Sequence, residues 1–493
     1  MRESGILLPI SSLPSRYGIG SFSKEAYAFI DFLKRAGQKK WQILPMGPTG
    51  YGDSPYQSFS TFAGNPYFID PEALVRDGYL TWEECDACDF GSREDRVDYG
   101  KLYQQRFGLL RKAFERFKGR KEWEYDGFVH ENAFWLDDYS LFMVLRNKNE
   151  GKSWNEWEDC YRRREQEALE RAKAELAEEM DFYRFQQYLF DKQWKGLHRY
   201  AKENGIQIIG DLPIYVAFDS ADTWASPELF QFTTEHIPTA VAGCPPDAFS
   251  ATGQLWGNPL YNWEYHRQTG FDWWIRRIQN SLKWYDVIRI DHFRGFDEFY
   301  AVPYGNPTAE NGSWQKGPGM DLFRAVWERL GKVAIIAEDL GYLTDSVKAL
   351  LKETGFPGMK VLQFAFDSRD FSDYLPHTYP ENCVVYTGTH DNDTTKGWFL
   401  STRKYCRDFA REYMHKKELD ADMLSWDFIA LAMGSVAELC MIPIQDYLCM
   451  GSEARVNAPA TVGDNWIWRL RPGSLEDGLA DQIREMTKLY GRI

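Results

Sequence analysis

The chain has 493 residues, 44% of them hydrophobic and 27% charged, enough for one large globular domain with insertions or two to three ordinary ones. A formal net charge of −15 repels polyanions over most of the surface and argues against nucleic acid as a partner. The apolar run near the N-terminus is too short for a signal peptide and no segment reaches the length of a membrane span, so a cytoplasmic location without a membrane partner is expected. Aromatic residues make up 16% of the chain, with 19 Trp among them. Large rings dominate packed cores, but they also stack on sugar faces, so composition raises carbohydrate without deciding it. Eight cysteines are scattered. Only Cys85 and Cys88 form a C-x-x-C, with neither a second pair nor a nearby His to complete a zinc site. Free thiols in a reducing compartment are expected, with no metal.

In chain order, Ile6 to Pro9 reads as a short buried strand, followed by Ser23 as a helix N-cap. The helix places Ala26, Phe29, Ile30 and Leu33 on one face and stops at Gly37, and Trp41 to Pro45 supplies a second strand. Further strands are expected at Ile206 to Leu212, Val287 to His292, Val333 to Asp339, Lys360 to Phe366 and Val384 to Thr389, with a weaker one at Met441 to Leu448. About eight strands separated by amphipathic helices fit a closed (β/α)₈ TIM barrel. A doubly wound open sheet is the alternative, but no G-x-G-x-x-G follows the first strand.

Two stretches interrupt the rhythm of this single catalytic domain, 1–493. Residues 72–180 are charge-rich and read as a mainly helical insertion after the second strand; the run Tyr161 to Glu167 is expected to be a solvated helix face with i,i+4 pairs. Residues 213–285, between the third and fourth strands, are rich in Gly, Pro, Asn and Trp and read as an active-site loop or lid. Such insertions at the C-terminal ends of barrel strands are where function concentrates.

Strand alternation sorts the side chains. Val287, Arg289 and Asp291 share the interior face, while Ile288 and Ile290 face the helices. On the next strand Ala334, Ile336 and Glu338 share one face. Neighbouring strands lie about 4.8 Å apart, so the two carboxyl groups are expected about 5 Å apart, the spacing of retaining glycoside chemistry. Arg289 favours the ionised form of Asp291. Asp391 ends another strand beside His390 and suits stabilisation of positive charge at an anomeric carbon, with Asp211 in support. A lone strand-end Asp is more often a turn or helix-cap residue, but four acids recurring at strand ends are not so dismissed. Asp339 and Asp393 are expected in turn and solvent roles rather than as metal ligands.

The blocks Val287-Ile-Arg-Ile-Asp-His-Phe293, Ala337-Glu-Asp339 and Thr389-His-Asp-Asn-Asp-Thr394 resemble those of the α-amylase clan, and more specifically the amylomaltases of glycoside hydrolase family 77. So do Gly50-Tyr-Gly-Asp-Ser-Pro-Tyr56, Gly243-Cys-Pro-Pro-Asp-Ala-Phe249 and Gln254-Leu-Trp-Gly-Asn-Pro259. The resemblance implies a 4-α-glucanotransferase without cofactor or metal, acting on maltooligosaccharides and on α-1,4-glucans derived from starch or glycogen, with glucose as an acceptor. It implies Asp291 as nucleophile, Glu338 as acid and base, and Asp391 as transition-state stabiliser. Sugar contacts are implied for Ser54, Tyr56, Asp211, Gln254, Trp256, Arg289, His292, His390 and Asn392, and a lid for Phe249 to Leu255. Ala460 stands where the family usually has Gly, which puts the loop geometry there in question. The acids alone do not separate a transferase from an α-1,4-glucan hydrolase, and a non-catalytic glucan-binding protein is a third reading.

Overall fold

The computed structural model describes residues 2–50, 52–120, 122–246, 250–341, 343–369, 372–461 and 463–493. Its strands in chain order are β1 (Glu3–Leu7), β2 (Lys40–Gln42), β3 (Gln207–Leu212), β4 (Ala240–Cys244), β5 (Gln254–Pro259), β6 (Val287–Ile290), β7 (Glu298–Pro303), β8 (Ser313–Lys316), β9 (Ile335–Ala337), β10 (Gly358–Val361), β11 (Cys383–Tyr386) and β12 (Leu439–Pro443). Eight form one parallel sheet in the order β10-β11-β12-β1-β2-β3-β6-β9. A hydrogen bond from the Ala337 N–H to the Pro357 carbonyl (3.0 Å) joins the two ends, so the sheet is a (β/α)₈ barrel.

Alternation produces two apolar layers. Leu7, Ile209, Ile336, Met359, Val361, Val384, Tyr386 and Met441 fill the barrel interior. Ile208, Ile288, Ile290, Ile335 and Ala337 join the larger core between sheet and helices. The helix Lys24–Arg35 illustrates the second layer: Ser23 precedes it, Ala26, Phe29, Ile30 and Leu33 are buried, and Gly37 leaves it at φ 72°. Much of the aromatic excess is packing, since Trp41, Trp154, Trp194, Trp224 and Trp274 are fully buried.

Four expectations are corrected. The strands near Lys360 and Met441 end early, because Leu362–Phe364 is a 3₁₀ turn and Ile444–Tyr447 a helix. The stretch read as loop or lid between β3 and β6 contributes β4 and β5, which pair with β7 and β8 in an antiparallel sheet of order β5-β4-β7-β8. The charge run at 161–167 is no continuous helix face: Arg163, Arg164 and Glu165 separate two helices. Arg163 pairs with Glu235 (2.5 Å), and Arg164 lies over Trp224 while pairing with Asp138 (2.6 Å) of the same insertion, so the run joins the two insertions to each other. Asp339 is buried rather than solvated, accepting from the Met359 N–H at 2.6 Å across the closing seam of the barrel. Asp393 keeps a turn role, accepting from Thr394 N–H and Ser452 Oγ.

Helices Trp123–Lys148 and Ala177–Glu203 dominate the insertion after β2, and the second runs unbroken across position 180 and leads through a short turn at Gly205 into β3. Among the described residues, no helix is long and apolar enough to cross a membrane.

Candidate active site

Every carboxylate at the centre of the site is delivered by a strand end. The β3–β6 register sets Asp211 opposite Arg289, and the β6–β9 register sets Ile290 opposite Ala337. One residue further, Asp291 and Glu338 leave the sheet as neighbours, since the Glu338 N–H donates to the Ile290 carbonyl (3.0 Å). Asp211 and Arg289 point inward among the apolar interior residues, where Gln42 is a further buried polar side chain, accepting from the Tyr386 hydroxyl at 2.8 Å. Arg289 Nη1 donates to Asp211 (2.6 Å) and lies 3.0 Å from Asp291. Burial alone would lower Arg289, but Asp211 and Asp291 outweigh it and hold the guanidinium firmly cationic. The Tyr56 hydroxyl, kept protonated by burial and by Asp211, donates 2.8 Å to the same Asp211 oxygen.

Glu338 is held by the backbone on both oxygens. Oε2 accepts from the His292 N–H (2.7 Å) and Oε1 from the Leu340 N–H (2.8 Å). Those bonds favour the ionised form, but burial and the neighbouring Asp291 charge push Glu338 up to about 7. Burial raises Asp291 to about 6, against the pull of Arg289. The two titrate as a pair, with Glu338 the member that keeps its proton longer. His292 reaches its position through a left-handed backbone, φ 53°, uncommon for a residue with a side chain. That turn aims its N–H at Glu338 and its ring at Trp256, 4.8 Å away edge to face. Burial lowers its imidazole to about 3, so it is neutral.

Asp391 is held from elsewhere. Asn457 Nδ2 donates to its Oδ1 (2.6 Å), Arg455 Nη2 donates to its backbone carbonyl (2.7 Å), and His390 Nε2 lies 3.3 Å from Oδ2. The His390 ring stacks on Tyr56 at 5.2 Å and 13°. Trp466 packs against both rings.

Residues 8–475 match the family profile described as 4-alpha-glucanotransferase, glycoside hydrolase 77. A 4-alpha-glucanotransferase of Clostridium butyricum is 49% identical over 485 residues, covering 98% of this chain and 99% of the relative. That of Thermus thermophilus is 47% identical over 501 residues, covering 100% and 99%. The chain belongs to the 4-α-glucanotransferases of glycoside hydrolase family 77. Among solved structures, the amylomaltase from Streptococcus agalactiae in complex with acarbose matches it with a TM-score of 0.97 at 42% identity, covering 100% of both chains.

Of the sugar contacts expected from family 77, Tyr56, Asp211, Arg289, His292 and His390 gather around the three carboxylates. Gln254 and Trp256 share the lip of the antiparallel sheet, joined by a bond from Trp256 Nε1 to Gln254 Oε1 (3.2 Å). Ser54 accepts from the Tyr56 N–H at 3.3 Å, shaping the loop that presents the ring. Asn392 turns its amide oxygen back onto Thr389, accepting from N–H and Oγ1 at 2.8 and 2.9 Å, so that oxygen serves the turn. The lid expected from Phe249 begins outside the described residues; from Ser250 onward it leads into β5. Arg455, Asn457 and Trp466 have no counterpart in the sequence reading. They lie some sixty to seventy-five residues beyond Asp391, in a segment without hydropathy period, and only the fold brings them to Asp391 and the adjacent His390.

Proposed function

We propose that the enzyme transfers α-1,4-glucan segments between maltooligosaccharides with retention, through a covalent glucosyl intermediate on Asp291. The observation that carries the reading is the strand-end pair: Asp291 beside the Arg289 cation, and Glu338 next to it with the higher proton affinity. A retaining mechanism needs one ionised and one protonated carboxyl in that relation.

In the first step Asp291 attacks the anomeric carbon while Glu338 gives its proton to the glycosidic oxygen. The C–O bond to the leaving glucan breaks, and an ester to Asp291 forms. Each Glu338 oxygen spends one lone pair on a backbone N–H and keeps another for the proton. In the second step Glu338, now ionised, takes the proton from the 4-hydroxyl of an acceptor. That oxygen displaces Asp291, and configuration is retained. Asp211, Asp291 and Asp391 outnumber the Arg289 and Arg455 charges, so the site is anionic where positive charge develops on the sugar. Asp391, aligned by Asn457, supplies hydrogen bonds to sugar hydroxyls together with His390 and the neutral imidazole of His292.

Transfer over hydrolysis requires that a sugar reach the intermediate before water does. Trp256 on β5, beside His292, and the Tyr56 and Trp466 rings beside His390 offer ring surface for an acceptor, including glucose itself; glucans derived from starch or glycogen serve as donors. The insertion at 213–285 acts here as a lid framework around the barrel domain, and the helical insertion at 72–180 as a buttress. No disulfide joins the cysteines among the described residues, which suits a cytoplasmic enzyme. Maltotriose alone should give glucose and a ladder of longer maltooligosaccharides. Exclusively shorter products would make the enzyme a hydrolase.

A further inference from the structure

A second aromatic pocket lies outside the catalytic cleft. Its cavity of about 260 Å³ is walled by Phe62, Phe134, Trp135 and Trp273, with Asp222 and Asp272 among its polar groups. Phe62 organises the rings: it stacks on Trp135 at 6.4 Å and 21°, and meets Phe134 and Trp273 edge to face at 5.5 and 6.2 Å. Phe134 is 45% exposed and Trp273 half-buried, so ring surface remains uncovered at the mouth.

The pocket sits at the catalytic end of the barrel. The helix Asp272–Trp284 leads into β6, whose far end carries Asp291, so the reversal between them puts the first turn of the helix level with the active site. Asp272, Trp273 and Arg276 stand on those first turns. The opposite wall, Ser60 to Phe62, continues the loop that presents Tyr56. That loop is tied to the pocket floor by bonds from the Thr61 N–H to Asp222 Oδ2 and from the Ala221 N–H to the Phe59 carbonyl, both 2.8 Å.

Its chemistry selects against anions and wholly apolar molecules. Acidic side chains at Asp138, Asp222, Glu228 and Asp272 exceed the one lining cation, Arg276. Asp138 and Asp272 are already paired with Arg164 (2.6 Å) and Arg276 (2.7 Å), so their remaining lone pairs accept hydrogen bonds without calling for a cationic ligand. Ser60, Ser226 and Thr269 add hydroxyls. Uncovered rings beside paired carboxylates and hydroxyls complement a neutral, polyhydroxylated ring with an apolar face.

We propose that this pocket is a second α-glucan docking site, holding glucose units of a long chain at a distance from the catalytic cleft. The proposal rests on the α-glucan reading of the active site, and the test separates the two. In the full-length Asp291→Asn variant, calorimetric titration with maltotriose should show two binding events. Adding Phe134→Ala, or Ala225→Trp to fill the cavity, should remove one and keep the other. In the otherwise unmodified enzyme, Phe134→Ala should lower kcat/KM for amylose about tenfold and leave maltotriose disproportionation unchanged. A single event that survives both pocket substitutions, with amylose kinetics unaltered, overturns the docking site and leaves the active-site reading standing. Displacement by an alkylammonium ion but not by maltotriose assigns the pocket to cations and also overturns it. No binding of maltotriose anywhere, with no ladder of products, refutes the α-glucan reading itself.

Discussion

The two sides of the catalytic centre are built differently. Asp211, Arg289, Asp291 and Glu338 stand on or directly beyond three adjacent strands, and their contacts follow from register. Asp391 also follows a strand, but its partners Asn457 and Arg455, and the Trp466 and Tyr56 rings that pack on the adjacent His390, come from loops far apart in sequence. The strand side is rigid because each residue is fixed by the sheet and by buried ion pairs. The loop side is adjustable, joined mainly by single hydrogen bonds and ring contacts. In the proposed reaction, attack and proton transfer, which tolerate no displacement, fall on the first. Sugar binding and charge stabilisation, which must admit donor and acceptor in turn, would fall on the second.

Substitutions on either side should therefore fail in different ways. Arg289→Met leaves Asp211 buried without its cation, and should cost about 3–5 kcal/mol of stability in denaturant unfolding. In the fraction that folds, the acid limb of the pH–rate profile should move up, because Arg289 is what lowers Asp291. An equal loss from substitutions on the loop side would erase the distinction. Asn457→Ala removes one charge-assisted bond to Asp391, of about 1.5–3 kcal/mol, so kcat should fall about 10- to 100-fold while the stability changes little. If unfolding shifts as much as for Arg289→Met, the loop side is structural after all.

The unmodified enzyme should show a bell-shaped dependence of kcat/KM on pH. Asp291 must be ionised, which is lost as pH falls through about 6, and Glu338 must be protonated, which is lost as pH rises through about 7. The two limbs belong to the coupled pair, and a single limb would mean that only one carboxyl titrates in the working range. The smallest effect is expected at Ala460, which sits at φ 61° in the left-handed region. Ala460→Gly relieves that strain and should stabilise the protein by about 0.5–1 kcal/mol, net of the flexibility glycine adds to the unfolded chain. A neutral or destabilising result would show that the loop tolerates the conformation without cost.

Legibility in the sequence follows the same division. Alternation along β6 and β9 separates inward Arg289, Asp291 and Glu338 from outward Ile288, Ile290 and Ala337, because a period of two survives in a single short strand. The eight barrel strands carry the same signal, although Ile444–Tyr447 shows an apolar run continuing past its strand into a helix. The antiparallel sheet escaped detection: β4 is Ala-Val-Ala-Gly-Cys, small residues among glycines and prolines, and β8 is exposed throughout. The pairing of Asn457 with Asp391 carries no local pattern, since it depends on a loop crossing 66 residues of intervening chain. Asp339 misled in the opposite direction, because an acid beside Glu338 looks like a turn residue until the closing seam is seen to bury it.

In the proposed reaction a carboxylate oxygen of Asp291 carries the sugar between donor and acceptor. The direct measurement is mass spectrometry of Glu338→Gln incubated with an α-maltosyl fluoride, whose leaving group needs no acid while the missing base slows release of the ester. A maltosyl adduct on the peptide containing Asp291, absent from Asp291→Asn/Glu338→Gln, is the predicted result. An adduct on another residue, or steady turnover with none on any, would contradict it.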